Sequence, residues 1–178
     1  MIAGPNGSGK TTLLHYLRTK FEFPLGYCLK PDEIDQEAKT GRLYLGWQSR
    51  ILDHEELQTF IRKHPLGRHL AKASFNIKNN SITFGGGYRS GYLPLILCDF
   101  LRSQWLSANE SFTFETVMSH PSKIELFQKA IAAGYRTYLY YICTESNLIN
   151  TARIANRVAG GGHKVSDEKV NQRRQRGL

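Results

Sequence analysis

The sequence lacks any hydrophobic run long enough to cross a membrane, any internal repeat and any low-complexity tract. A membrane-spanning helix needs about 18 or more consecutive apolar residues, and the chain opens on a glycine-rich segment rather than on a basic and apolar leader. These absences predict a cytoplasmic protein without membrane contacts. The length of 178 residues predicts one domain, residues 1–178.

Cysteine is also scarce, and the few cysteines are isolated. Cys28, Cys98 and Cys143 lie far apart in apolar surroundings, and no pair has CxxC spacing. The odd number argues against a disulfide framework. We therefore expect all three to be buried packing residues.

Basic residues are in excess, with 24 Lys and Arg against 15 Asp and Glu, which gives a net charge of +9. Such an excess favours partners such as nucleic acid, an acidic membrane surface or small polyphosphates. The basic residues concentrate after Arg153, at short helical intervals. Charge alone does not separate these partners, so nucleic acid stays open as a partner.

Strand and helix signals alternate along the chain, which predicts an α/β fold of three layers with a mostly parallel sheet of about five strands. Only three residues precede the glycine-rich segment, too few for a core strand, so we expect the natural chain to begin further upstream. Predicted strands cover residues 1–3, 27–30, 112–115 and 138–143, and a hairpin is predicted at 75–84; the strand at 138–143 is expected to be buried on both faces. Three predicted helices follow Thr11, Asp53 and Ser122. Four more cover residues 33–39, 93–105, 148–158 and 167–176. Capping boxes are predicted at Asp53 with Glu56 and at Ser122 with Glu125.

The strongest motif is a P-loop, or Walker A sequence, between the first strand and the first helix. It fits the G-x-x-x-x-G-K-[ST] pattern, in which glycines let successive backbone N–H groups face a phosphate. The lysine of the motif binds the β- and γ-phosphates, and its last hydroxyl binds Mg²⁺. The sequence thus predicts a site for ATP and Mg²⁺, with Thr11 as the metal ligand, formed by Gly4, Pro5, Asn6, Gly7, Ser8, Gly9, Lys10, Thr11 and Thr12.

Two carboxylates follow predicted strands and are candidates for the chemistry. Asp32 is placed to accept the proton of an attacking hydroxyl, or alternatively to cap a helix that begins near Glu33. Glu115 closes a strand, where it orients Mg²⁺ through water or holds substrate hydroxyls; the alternative is a solvated strand end. Thr116 and Ser119 follow on the same side of the predicted sheet.

Basic side chains near the C-terminal end form a predicted helical lid. Arg153 and Arg157 share one helix face, and Arg173 and Arg176 share another, with a glycine hinge and His163 between them. Guanidinium groups donate bidentately to phosphate oxygens, so both faces suit a triphosphate. The alternative is a solvated basic tail.

Several of these segments together resemble the zeta-toxin family of P-loop kinases, in its chromosomal "predicted ATPase" branch. They are the P-loop, Pro31-Asp32, residues 111–120 and the later stretch from Asn150 to His163. The resemblance implies a kinase that transfers the γ-phosphate of ATP to a hydroxyl, in the toxins one on a UDP-amino sugar. It also implies a small helical antitoxin as a partner.

The resemblance assigns a role to each matching residue: phosphate binding to Lys10, magnesium to Thr11, the general base to Asp32, the acceptor sugar to Glu115, and clamping of the transferred phosphate to Arg157. In the toxins this segment reads E-G-T-x-R, whereas here Glu115 is followed by Thr116-Val117-Met118-Ser119. His163 falls near the position of a second toxin arginine, and Arg173 or Arg176 would supply the charge of that arginine instead. The acceptor thus stays open, as do two alternatives: a nucleoside or nucleic-acid-end kinase, and a non-catalytic, ATP-gated binding protein.

Overall fold

The computed structural model describes residues 1–21, 24–46, 51–70, 74–85, 91–118, 121–161, 168, 170 and 172. Within these residues the protein is an α/β structure. The strands are β1 (Ile2–Ala3), β2 (Tyr27–Cys28), β3 (Arg42–Tyr44), β4 (Ser74–Lys78), β5 (Ser81–Gly85), β6 (Phe112–Thr113), β7 (Glu115–Thr116) and β8 (Tyr140–Tyr141). The helices are α1 (Lys10–Lys20), α2 (Pro31–Ala38), α3 (His54–Lys63), α4 (Leu93–Ser107), α5 (Ser122–Ala132) and α6 (Asn147–Ala159).

The chain divides into two compact units. The first combines residues 1–26 with residues 113–178, and the second consists of residues 27–112. A compact unit is not necessarily a domain that folds independently, so the single domain remains a prediction. Of the helices in the described part of the chain, none is long and apolar enough to cross a membrane.

The first unit contains a parallel three-stranded sheet in the order β7-β1-β8. Ile2, in the central strand, pairs with Glu115 on one side and with Tyr140 on the other. Ile2 and Ala3 are fully buried, which makes β1 part of the core of this unit. The predicted strand at residues 1–3 is confirmed, and its carboxyl end leads directly into the glycine-rich loop.

Two sequence predictions about α5 have different outcomes. A helix forms as predicted, and Gly134, with φ of +83°, follows its last residues. The predicted capping box is wrong: the N-cap residue is Pro121, and no side chain among the described residues caps the helix. Pro121 already has helical angles, φ −55° and ψ −29°, so Ser122 lies inside the helix instead of before it.

The prediction of a strand buried on both faces at residues 138–143 is also wrong. Only Tyr140–Tyr141 forms a strand, and Tyr138 and Leu139 are 54% and 45% exposed. Among the described strands, β8 lies at the edge of its sheet. A strand is buried on both faces only where other elements pack against it, and an apolar sequence does not show whether they do. The prediction that all three cysteines are buried holds for Cys98 and is wrong for Cys143, which is exposed; Cys28 is half-buried, and all three are free thiols.

The second unit has its own core around α4, whose residues Ile96, Leu97 and Leu101 are completely buried. Its sheet is antiparallel, in the order β3-β5-β4. The predicted hairpin is confirmed: β4 and β5 are joined by Asn79 and Asn80, which have φ of 50° and 56° as a tight two-residue turn requires. The described strands pair in the orders β7-β1-β8, β2-β6 and β3-β5-β4, so the predicted mostly parallel sheet of about five strands is not confirmed.

The predicted cap at Asp53 is confirmed in its first half, the bond from the Asp53 side chain to the first turn, and it allows a direct test of local stability. The Asp53 carboxylate accepts a hydrogen bond of 2.8 Å from the Glu56 N–H at the start of α3. We expect Asp53→Ala to lower the free energy of unfolding by about 1 kcal/mol, because a first-turn N–H loses its acceptor. Asp53→Asn keeps an acceptor oxygen and serves as the control in urea denaturation. Equal losses in both variants would show that the cap does not stabilise α3.

Candidate functional site

The glycine-rich loop between β1 and α1 has a backbone shape that only glycine allows at key positions. Gly4, Gly7 and Gly9 have φ of 143°, 78° and 104°. A Cβ atom at Gly7 would lie 2.5 Å from the backbone oxygen of Asn150, and one at Gly4 would collide with the carbonyl of Ile142. The loop is therefore held closely between the end of β8 and the first turns of α6.

The side chain of Lys10 reaches back across this loop. Its ammonium group donates hydrogen bonds to the carbonyl oxygens of Gly4, at 2.9 Å, and of Pro5, at 2.8 Å. The Pro5 carbonyl also accepts the Ser8 N–H at 3.2 Å. Lys10 is attached at the end of the loop, and its side chain contacts the carbonyls at the start of the loop. The positive charge of Lys10 therefore lies on the inner side of the loop.

The start of α1 adds a second positive feature. The N-cap residue is Gly9, no side chain of the described residues caps the helix, and the first turn contains no acidic residue. The first backbone hydrogen bond of the helix runs from the Leu13 N–H to the Gly9 carbonyl, at 2.9 Å. The positive end of the helix dipole is thus directed at the loop, an arrangement that favours anions.

Thr11 and Glu115 form a hydroxyl–carboxylate pair beside the loop. The Thr11 hydroxyl donates to Glu115 Oε2 at 2.9 Å, and the pairing of β7 with β1 places Glu115 next to the strand that carries the loop. The carboxylate is half-buried and hydrogen-bonded, unlike a solvated strand end. Hard oxygen ligands of this kind suit Mg²⁺, which is commonly bound by one or two protein groups together with substrate phosphates.

The described part of the chain contains no group of three or more His, Cys, Asp or Glu side chains that could hold a metal ion. Thr11 and Glu115 fit a magnesium ion that shares its coordination with phosphate and water.

Helix α6 contributes two residues beside the loop: Asn150, for which the sequence suggested no contact with the loop, and Arg153, which the sequence predicted in a lid over the triphosphate. Asn150 is completely buried, and the Thr144 hydroxyl lies 2.9 Å from its Oδ1. Arg153 Nη1 lies 3.4 Å from the carbonyl oxygens of both Gly7 and Ser8. These residues are three apart and so share a helix face, which is the sequence signal that could have connected them.

The remaining predicted residues of the first unit are less closely tied to the loop. Thr12 and Arg157 are exposed, on α1 and in the last turn of α6 respectively. The Thr116 carbonyl accepts the Gly4 N–H at 3.2 Å, and its hydroxyl accepts the Met118 N–H at 3.0 Å. Thr116 thus supports the loop through its backbone. Four further predicted residues lie outside the described residues: Ser119, His163, Arg173 and Arg176.

Asp32 belongs to the second unit, where it lies exposed in the first turn of α2. The alternative that Asp32 caps a helix beginning near Glu33 is wrong. The helix begins at Pro31 with Lys30 as its N-cap residue, because proline suits the first helical position. The role of Asp32 as a general base remains a prediction.

Comparison of the chain with protein-family models, with curated proteins and with solved structures finds no match. The resemblance to zeta-toxin kinases therefore remains a hypothesis based on the sequence segments given above. Any conclusion about function has to rest on the chemistry of the loop and its neighbours.

Proposed function

We propose that the protein is an ATP- and Mg²⁺-dependent phosphotransferase of the zeta-toxin type, with a three-layer P-loop fold and a C-terminal helical lid. In this proposal it transfers the γ-phosphate of ATP to a hydroxyl of a small molecule, with a UDP-amino sugar as one candidate acceptor. The observation that carries the proposal is the hydrogen bonding of the Lys10 ammonium to the loop carbonyls of Gly4 and Pro5, together with the Thr11–Glu115 pair beside the loop.

The nucleotide part of the proposal follows from charge and shape. Lys10 and the start of α1 supply positive charge where the β- and γ-phosphates would lie. Thr11 and Glu115 would hold Mg²⁺, which neutralises charge on the phosphate oxygens when it is bound.

The transfer step needs two further functions from the chain. As the acceptor oxygen forms its bond to the γ-phosphorus, the bond from that phosphorus to the bridging oxygen breaks and ADP leaves. Asp32 would accept the proton that the acceptor hydroxyl loses. Arg157 would stabilise the charge on the transferred group, with His163, Arg173 and Arg176 as additional candidates.

A nucleoside or the end of a nucleic acid is the second candidate acceptor. The observation in its favour is the net charge of +9, because basic proteins bind polyanions by releasing their counterions. This alternative predicts that binding to short oligonucleotides weakens steeply as salt is raised.

The proposal is tested by transfer of labelled γ-phosphate from ATP, with nucleotide sugars, nucleosides and oligonucleotides offered separately. We expect Asp32→Asn to lower the transfer rate by about 10²–10⁴-fold while leaving the affinity for ATP unchanged, because a general base acts on the acceptor and not on the nucleotide. Asp35→Asn makes the same change on the same helix, where Asp35 pairs with Lys39 at 2.6 Å, and serves as the matched control.

Each result of this experiment has a definite meaning. Labelled product that requires Asp32 but not Asp35 supports the kinase and identifies its acceptor. Full activity in Asp32→Asn contradicts the assignment of the base. If ATP binds and no acceptor is labelled, the non-catalytic, ATP-gated binding protein becomes the better explanation.

A further inference from the structure

Arg153 lies on the outer side of the phosphate-binding loop. The Ser8 N–H donates across the loop to the Pro5 carbonyl at 3.2 Å, so it points inwards. The carbonyl of Gly7 belongs to the same peptide group and points the opposite way, because C=O and N–H are antiparallel in a planar trans peptide. Arg153 Nη1 contacts this carbonyl at 3.4 Å and therefore approaches from outside.

Arg153 approaches the next peptide group from the same side. Arg153 Nη1 is also 3.4 Å from the Ser8 carbonyl, whose peptide group carries the N–H of Gly9. One guanidinium nitrogen is thus shared between two consecutive peptide groups at the centre of the loop. A positively charged group that contacts a carbonyl oxygen polarises the peptide group. The N–H of that peptide group then becomes a stronger donor to an anion on the other side.

Helix α6 is fixed in a position that makes this contact possible. Gly7 lies so close to the backbone of Asn150 that a Cβ atom would reach within 2.5 Å of its oxygen. Arg153 follows one turn later on the same face, and its Nη1 would lie 3.8 Å from a Cβ atom at Gly9. Both turns of the helix therefore pack against the outer side of the loop.

We propose that Arg153 is a positioning residue, which holds the Gly7–Ser8 and Ser8–Gly9 peptide groups with the N–H groups of Ser8 and Gly9 directed at the phosphate site. This inference rests on the proposed function, since it assumes a phosphate ligand on the inner side of the loop. Arg153 acts through the loop and differs in this respect from Arg157, to which the proposal gives direct contact with the transferred phosphate. The N–H groups that Arg153 positions would bind the α- and β-phosphates, which ATP and ADP both carry.

The first test uses the protein without a ligand. We expect Arg153→Gln to speed hydrogen exchange of the Ser8 and Gly9 amides by about tenfold, because their peptide groups lose a charged partner. Arg18→Gln removes the same charge from the last turn of α1, an exposed position of the same unit, and should leave these amides unchanged. Unchanged exchange in Arg153→Gln would overturn the positioning role whether or not the protein binds nucleotide.

The second test separates positioning from phosphate contact. Calorimetry with ATP and with ADP should show affinity falling by the same factor, up to about tenfold, in Arg153→Gln. A loss confined to ATP would mean that Arg153 contacts the γ-phosphate, and would overturn the proposal. If the wild-type protein binds neither nucleotide, the proposed function fails, while the exchange experiment still decides what Arg153 does to the loop.

Discussion

Replacement of Lys10 by alanine is expected to lower phosphoryl transfer from ATP by about 10²–10³-fold, the usual loss when one prearranged donor is removed from developing charge. The expectation follows from the position of the ammonium group, which the Gly4 and Pro5 carbonyls hold on the inner side of the loop. ATP affinity should fall as well, since the β- and γ-phosphates lose their nearest point charge. Rates are measured with labelled ATP, and affinities by calorimetry.

Lys20 provides the matched control for this experiment. It lies exposed in the last turn of the same helix, so Lys20→Ala removes the same charge and alters the same element without touching the loop. Urea denaturation of both variants shows whether Lys10→Ala also weakens the fold through its lost carbonyl contacts. Activity that survives in Lys10→Ala, with a stable protein, would contradict the assignment of the loop as the catalytic phosphate site.

The second large effect is expected from Gly7→Ala. Gly7 has φ of +78° and no room for a Cβ atom, which would meet the backbone of Asn150 at 2.5 Å. Gly134 has nearly the same φ, +83°, with nothing within 4 Å of a Cβ atom. Both substitutions should lower the free energy of unfolding by about 1–2 kcal/mol, because alanine is strained in the left-handed region. Gly7→Ala should lower it by about 1–3 kcal/mol more, because the added methyl group overpacks the site.

The comparison isolates the packing of the loop against α6 from backbone strain. The free energy of unfolding is measured by urea denaturation for Gly7→Ala and Gly134→Ala, and ATP binding is measured for the same proteins. Gly7→Ala should bind ATP weakly even where it is folded, because relief of the clash moves the loop. Equal stability losses and equal ATP binding in the two variants would show that the close approach to Asn150 has no energetic weight.

The parts of the structure that the sequence predicted well depend on interactions over a few residues. The cap of α3 connects Asp53 with Glu56, and the hairpin turn needs only Asn79 and Asn80 in left-handed conformations. The strand–loop–helix order around the P-loop is local in the same sense. Such features follow from short-range sterics and hydrogen bonds between residues that are neighbours in the sequence, so the sequence alone is enough to predict them.

The parts that the sequence did not predict depend on residues far apart in the chain. The burial of residues 138–143 requires cover from other elements, and among the described strands β8 pairs on one side with β1 and lies at the edge of its sheet. The contact of Arg153 with the loop joins residues more than a hundred positions apart. A helical pattern shows which side chains share a face, but it does not show what that face will meet.

The hydrogen bond between Thr11 and Glu115 also determines how the hydroxyl is oriented. A threonine hydroxyl has one proton and two lone pairs, and here the proton is directed at the carboxylate. The lone pairs therefore point away from Glu115, and the rotation of the hydroxyl is fixed by the carboxylate. If Mg²⁺ binds as proposed, Glu115 would thus orient the neutral hydroxyl towards the ion, in addition to contributing its own negative charge.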